Sequence, residues 1–375
     1  MMDIKENQAT GKRIYFLDNL RTFTIFLVVL YHAGGVYESS GTWASFWIVD
    51  DPATNDIVGI INIILDTFLM PTLFFISGFL ALMSLRRKNT STFLKAKFKR
   101  LMVPWIIAVL TLIPLYKVIF LYSRNLPQES WSSYFHFSKS NISSQNWLWF
   151  LPILFAFNVI YAFLLKTKIK LPDISFNTAV TGSFLIGLFY SFVIGGIMGF
   201  RTWTHSVLFD FENERLLLYF LCFLLGTMCF QKKFFEQKPK SKLLYTIVNS
   251  IAWIPITLHI FARLIPFFDP EGFSVTPMYR LFWWLSFYFS LLCMLYAMVD
   301  TFRRYFDKTS KLLGELNRNS YYVYIIHVIV LGAIALALLH LEIPSLLKYF
   351  ILVTSTYITC NLIISLFRKA IAKVR

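Results

Sequence analysis

Ten stretches of this chain are long and apolar enough to cross a lipid bilayer, and that sets the fold class before any motif is considered. A hydrocarbon layer about 30 Å thick needs about 20 consecutive, mainly apolar residues in a helix. Such runs occupy residues 15–37, 57–84, 101–121, 147–165, 176–199, 215–231, 243–266, 279–300, 319–340 and 345–367. They lack the strict alternation of barrel strands, and most are too long for them, so helices are expected. The chain is 57% hydrophobic and 15% charged, against about 45–50% and about 25% in soluble domains. A soluble enzyme, a disordered chain and a disulfide scaffold are excluded. The expected fold is all-α, a polytopic membrane bundle of about ten transmembrane helices.

The formal charge of +16 would suggest nucleic acid if it formed a surface. Instead the cations sit in short connections between apolar runs, where they read as topology signals, and no nucleic-acid partner is expected. Of the 36 Lys and Arg, 27 fall before the first run, after the second, fourth, sixth and eighth, and after the tenth. The alternate connections hold only Arg124, Lys139 and Arg201, beside Glu38, Asp50, Asp51, Asp56, Glu129, Asp210, Glu212, Asp269 and Glu271. The positive-inside rule then places both termini in the cytoplasm of a multi-pass protein of the cell (plasma or inner) membrane. This gives a cytoplasmic arm at 1–13, a transmembrane domain at 14–367 and a cytoplasmic tail at 368–375. The first run is read as an uncleaved span, because a signal h-region does not normally carry an Arg and a His.

Pro104, Pro114 and Pro152 lie inside runs, where neighbours can satisfy the freed carbonyls. Gly195 and Gly199 form a small-xxx-small pair suited to close helix packing. Cys222, Cys229, Cys293 and Cys360 fall in spans without metal-ligand spacing and read as packing residues. Residues 38–56 and 122–146, rich in Trp, Ser and Asn, are long enough to cover a site.

Ionisable groups inside a span are costly and therefore informative. The first run carries Asp18, Arg21 and His32. Eleven residues make about three helical turns, so Arg21 and His32 share one face, ~16 Å apart along the axis. Asp18 can pair with Arg21 from the preceding turn. A cation near the inner surface and an imidazole near the outer one suggest a pathway; a structural pair is the competing reading. Asp66, Ser77, Asn158 and His327 are further polar residues within spans, each with an interhelical hydrogen bond as its simplest role. His136, His205, His259 and His340 read as interfacial. No metal-ligand spacing and no Gly-rich phosphate loop are found. After the second run, Lys95, Lys97, Lys99 and Arg100 alternate with apolar residues, as in a loop lying on the inner surface among anionic lipid headgroups.

Leu17-Asp18-Asn19-Leu20-Arg21 followed by His32 resembles the signature of the acyltransferase family 3 membrane proteins, nearest the branch around glucan biosynthesis protein C. Met70-Pro71 to Phe79, Phe93 to Pro104, Trp147 to Leu151 (with Trp149) and Ser320 to His327 resemble further family segments in the same order, over nearly the whole chain. Two departures stand out. Trp147 replaces a frequent His, and Lys97 and Lys99 stand where Arg is common, offering charge without the bidentate fork.

The resemblance implies transfer of an acyl group from cytoplasmic acyl-CoA to a hydroxyl of an extracytoplasmic carbohydrate or glycolipid, with no permanently bound cofactor. The pantetheine arm is of similar length to the Arg21–His32 separation. In this scheme Lys95, Lys97, Lys99 and Arg100 hold the nucleotide phosphates, and Arg21, oriented by Asp18, steers the donor. His32 acts as base or as acyl relay. Ser77, Asp66, Asn158, His327 and Trp149 complete the expected substrate contacts. A proton-coupled transporter using Arg21, Asp66 and His32 is the alternative from another class, and a non-catalytic envelope scaffold is a third. The acidic outer loops weakly disfavour a polyanionic acceptor.

Overall fold

The computed structural model describes residues 14–39, 46–135, 145–166, 174–237, 239 and 241–374. His136 and Lys139, named above, and eight of the 27 cations counted there (Lys5, Lys12, Arg13, Lys168, Lys170, Lys238, Lys240 and Arg375) lie outside the described residues. Eleven α-helices follow in order: α1 Tyr15–Tyr37, α2 Asp56–Leu85, α3 Thr90–Ser123, α4 Phe150–Lys166, α5 Phe176–Ile197, α6 Leu216–Gln231, α7 Lys242–Ile251, α8 Trp253–Phe268, α9 Pro277–Tyr305, α10 Lys311–Leu338 and α11 Ser345–Val374. Counting α7 and α8 as one, the described residues contain ten helices long and apolar enough to cross a membrane. The expected helical membrane bundle is what the chain forms.

Side chains that prefer to cap start these helices. Asn55 accepts from the Ile57 N–H, Asn89 from Thr92, Ser175 from Thr178 and Ser310 from Leu313. Thr276 caps α9, with Pro277 at its first position. Each cap satisfies one of the donors that a helix start leaves open. Pro152 falls in the first turn of α4, where a missing N–H removes no intrahelical bond. The run at 243–266 divides at Ala252 because Pro255 cannot bond the carbonyl of Ile251.

Three local expectations are corrected. Lys95, Lys97, Lys99 and Arg100 are not in a loop but in the first turns of α3; Lys, Arg, Leu and Met are strong helix formers, so the segment continues the helix. Gly199 lies beyond the end of α5 with φ +95°, so Gly195 and Gly199 are not a helix-packing pair. His259 is not interfacial but buried in α8, with Nδ1 3.1 Å from Ser286 Oγ.

Close helix approach occurs at another glycine pair. A methyl group on Gly78 of α2 would meet the carbonyl oxygen of Phe223 in α6 at 1.9 Å. One on Gly226 of α6 would meet the Phe75 oxygen of α2 at 1.9 Å. The two backbones therefore touch, and α2 and α6 form a close helix pair in the bundle. Gly226→Ala is expected to lower stability by about 1–3 kcal/mol through overpacking. Gly59→Ala, with open space around the added methyl, serves as the control. Melting of the detergent-solubilised protein reads both, and equal melting temperatures would reject the close approach.

The α1 start is fastened to the α9–α10 connection. Asn19 donates to the carbonyls of Phe306 (2.7 Å) and Lys308 (2.8 Å), and Asn317 donates to Asn19 at 2.8 Å. At the other end Lys348 and Asp51 form a buried ion pair of 2.9 Å, joining the α1–α2 connection to α11. Between these clamps the main aromatic and aliphatic core fills the bundle.

Candidate active site

The α5–α6 connection contains an unexpected antiparallel hairpin, β1 Trp203–His205 with β2 Asp210–Glu212, in the register Trp203↔Glu212, Thr204↔Phe211, His205↔Asp210. Alternate residues of a strand face the same way. Trp203, His205, Asp210 and Glu212 accordingly share one face, and all four line a cavity of about 420 Å³. Its wall also includes Val28, Tyr31 and His32 of α1, Trp47, Asp66, Trp147, Trp149, Arg201, Arg215, Tyr219 and Arg263. The cavity therefore lies at the end of the bundle away from the termini, beneath the acidic connections.

His32 is held from three directions. The Trp47 ring stacks on it at 5.1 Å between centroids and 20° between planes, while Trp47 Nε1 donates to the His32 carbonyl at 3.1 Å. His32 Nδ1 lies 2.7 Å from His327 Nε2, and His327 Nδ1 lies 2.7 Å from the carbonyl oxygen of Tyr324. A carbonyl only accepts, so His327 Nδ1 carries a proton, and the neutral ring then offers its Nε2 lone pair to the Nδ1–H of His32. The His32 tautomer is thereby set, and its Nε2 is the nitrogen with a lone pair for chemistry. Tyr324 is itself fixed by its hydroxyl, which donates to the Trp147 carbonyl, and Trp147 Nε1 donates to the Ile325 carbonyl at 2.9 Å.

Charge is concentrated elsewhere on the wall. Arg215 makes a bidentate pair with Asp66, Nη1 to Oδ1 at 2.9 Å and Nη2 to Oδ2 at 2.8 Å, and its Nε is 3.1 Å from Glu212 Oε2. Its guanidinium also lies 4.6 Å over the Phe287 ring. Arg263 Nη1 approaches the same Asp66 Oδ2 at 4.0 Å. Tyr31 donates to Asp66 at 3.4 Å. Arg201, Arg215, Arg263, Glu212 and Tyr219 were not selected from the sequence. Arg215 and Arg263 carried the same signal as Arg21, a charge inside an apolar run.

The cavity brings together His32, Asp66 and Trp149, with His327 directly behind His32. Trp149 meets Trp203 edge to face at 5.8 Å and Tyr219 at 5.6 Å. His205 is a wall residue beside Asp210, at 3.6 Å. Along α1 the cavity reaches Val28, about two turns short of Arg21. Buried Thr24 and Ile25 lie between. Arg21 instead pairs with Asp18 at 3.3 Å and donates to the Asn317 carbonyl at 3.1 Å. Ser77 is half-buried in α2, and Asn158 is buried in α4, donating to the Leu154 carbonyl at 2.7 Å. Lys95, Lys99 and Arg100 are exposed at the opposite end, and Lys97 rests 5.4 Å over the Phe93 ring.

A model of the acyltransferase domain, acyltransferase 3, matches residues 14–365. The chain belongs to this family. Acyltransferase 3 membership makes it a membrane protein of the acyl-transferring class and favours an enzyme over a transporter or scaffold. Glucans biosynthesis protein C from Escherichia coli strain SMS-3-5 is 27% identical over 169 residues, covering 43% of this chain and 41% of that protein. The same protein from strain K12 is 26% identical over the same shares. These matches span well under half of the relatives' own length. No solved structure matches the chain significantly.

Proposed function

We propose that the protein moves an acyl group from cytoplasmic acyl-CoA to a hydroxyl of an extracytoplasmic carbohydrate or glycolipid, with His32 as the reactive base or acyl relay. The observation that carries this reading is the His32–His327–Tyr324 chain ending in an aromatic cavity. As base, His32 Nε2 takes the proton of the acceptor hydroxyl while its oxygen attacks the thioester carbonyl. The C–S bond breaks, an ester forms, and the thiolate leaves as CoA after taking a proton. As relay, Nε2 attacks the thioester carbonyl and the C–S bond breaks, releasing the CoA thiolate; the acceptor oxygen then attacks the acyl-imidazole, the N–C bond breaks, and the hydroxyl proton passes through the freed Nε2 to the thiolate.

The distribution of cations favours termini and a start of α3 on the cytoplasmic side, where Lys95, Lys97, Lys99 and Arg100 would meet the CoA phosphates. Arg21, held by Asp18, would steer the arm along α1. The packing around Thr24 and Ile25 then has to open for a thioester to reach His32, so donor binding and passage are separate events in this scheme. Trp149 and Trp203 offer ring surface for the apolar sides of sugar rings, with the carboxylates and hydroxyls of the wall available for the polar edges.

Donor capture tests the reading. Acetyl-CoA and longer acyl-CoAs are expected to bind the protein purified in detergent, and to bind His32→Gln equally well. Absence of binding by every acyl-CoA tried would reject the donor.

A further inference from the structure

The scheme above uses the part of the cavity around His32 and leaves the guanidiniums on its wall without a task. Arg215 already has carboxylates for its charge, with two hydrogen bonds to Asp66 and an ion pair with Glu212. Asp210 is engaged too, accepting the backbone N–H groups of Gln145 at 2.9 Å and Ser206 at 3.0 Å. Arg263 and Arg201 differ. Arg263 reaches Asp66 only at 4.0 Å, and its Nη1 is buried with no hydrogen-bond partner among the described residues. Arg201 has its Nε in the same condition, and Glu214 meets Arg201 at its backbone N–H. Both guanidiniums lie over Trp283, at 5.2 Å and 5.0 Å from the ring centroid. They are near enough for their charges to repel.

Two like charges held in a partly dry wall destabilise one another, and a buried donor without an acceptor adds to that cost. An oxyanion between them removes both penalties, because guanidinium forks match the oxygen spacing of carboxylate and phosphate. We propose that Arg201 and Arg263 form a binding site for a carboxylate or phosphate that the substrate carries away from its reacting atom. This rests on the acyl-transfer reading for the identity of the anion's bearer, and it assigns the cavity a preference that the acidic loops alone argue against. An anchor of this kind holds the substrate without touching the chemistry at His32.

Isothermal titration on the detergent-purified protein tests it with two matched pairs. Glucose 6-phosphate against glucose asks whether the anion belongs to the acceptor. Glutaryl-CoA against butyryl-CoA asks whether it belongs to the acyl group. In one pair the charged member is expected to bind at least about tenfold more tightly, as a charge-assisted contact would give. That preference should vanish in Arg201→Gln and Arg263→Gln and survive in His32→Gln. Arg201 follows α5 outside the helices, so its variant keeps the test usable if Arg263→Gln fails to fold. No preference in either pair, or a preference unchanged by both arginine variants, overturns the proposal. Failure of the acyl-transfer reading would show separately, as no CoA release by the unaltered protein.

Discussion

His32→Ala is expected to abolish acyl transfer, with a loss on the order of 10²–10⁴-fold, the range that a positioned acid or base contributes. The reason lies in the hydrogen-bond chain more than in the presence of an imidazole. The Tyr324 carbonyl and His327 leave one ring nitrogen of His32 in the form that can take a proton or attack a carbonyl. His205 also lines the cavity, but it stands beside Asp210 at 3.6 Å and its Nδ1 has no hydrogen-bond partner among the described residues. Truncation also strips His327 of its donor, a cost of about 1–3 kcal/mol if the site stays dry. His32→Gln separates the two effects, since its amide can still donate to His327 yet has no basic nitrogen. Both variants should lose CoA release and product, while Gln restores the melting temperature. A burst of CoA release without acceptor would identify the relay, and its absence the base. Full transfer by either variant would remove His32 from the chemistry.

Much of the fold was legible because lipid forbids unpaired backbone and so leaves helices as the solution for long apolar runs. The division of the run at 243–266 into α7 and α8 was not read, although Pro255, whose effect on the Ile251 carbonyl is local, marks it. The hairpin at 203–212 was not legible: three-residue strands are too short for a period to show, and pairing fixes them only once α5 and α6 have brought their ends together. In the site, His32, Asp66, His327 and Trp149 were selected from the sequence and meet at or behind one cavity. The helical spacing of Arg21 and His32 was sound, but a shared face does not guarantee a shared cavity, and Thr24 and Ile25 fill the interval. Arg215 and Arg263 escaped notice for a different reason. The carboxylate that both approach, Asp66, lies in another helix about 150–200 residues away, a distance that helical geometry within one segment does not bridge; only the Arg215–Glu212 pair, three residues apart, was within its reach.

Arg215→Met is expected to produce the largest loss of stability of any single change in the site, about 3–5 kcal/mol, because it leaves buried charge uncompensated. The Arg215 side chain is 3% exposed and its two partners, Asp66 and Glu212, are 19% and 7% exposed. Met fills the space of the stem but answers neither carboxylate. Arg263 can move toward Asp66, from which it is now 4.0 Å away; among the described residues, no second cation forms an ion pair with Glu212. The bridge also spans three parts of the chain, α2, the hairpin and the start of α6, so its loss should loosen the cavity wall as a unit. Arg215→Lys should fall between, since an ammonium supplies the charge but not two parallel hydrogen bonds to Asp66. The decisive variant combines Arg215→Met with Asp66→Leu and Glu212→Gln. Removing both ends of a buried ion pair is far less damaging than removing one, so the triple variant should melt above the single one in detergent. If instead the defects add, the guanidinium acts through packing on Phe287, 4.6 Å away, and the electrostatic account of this wall is wrong.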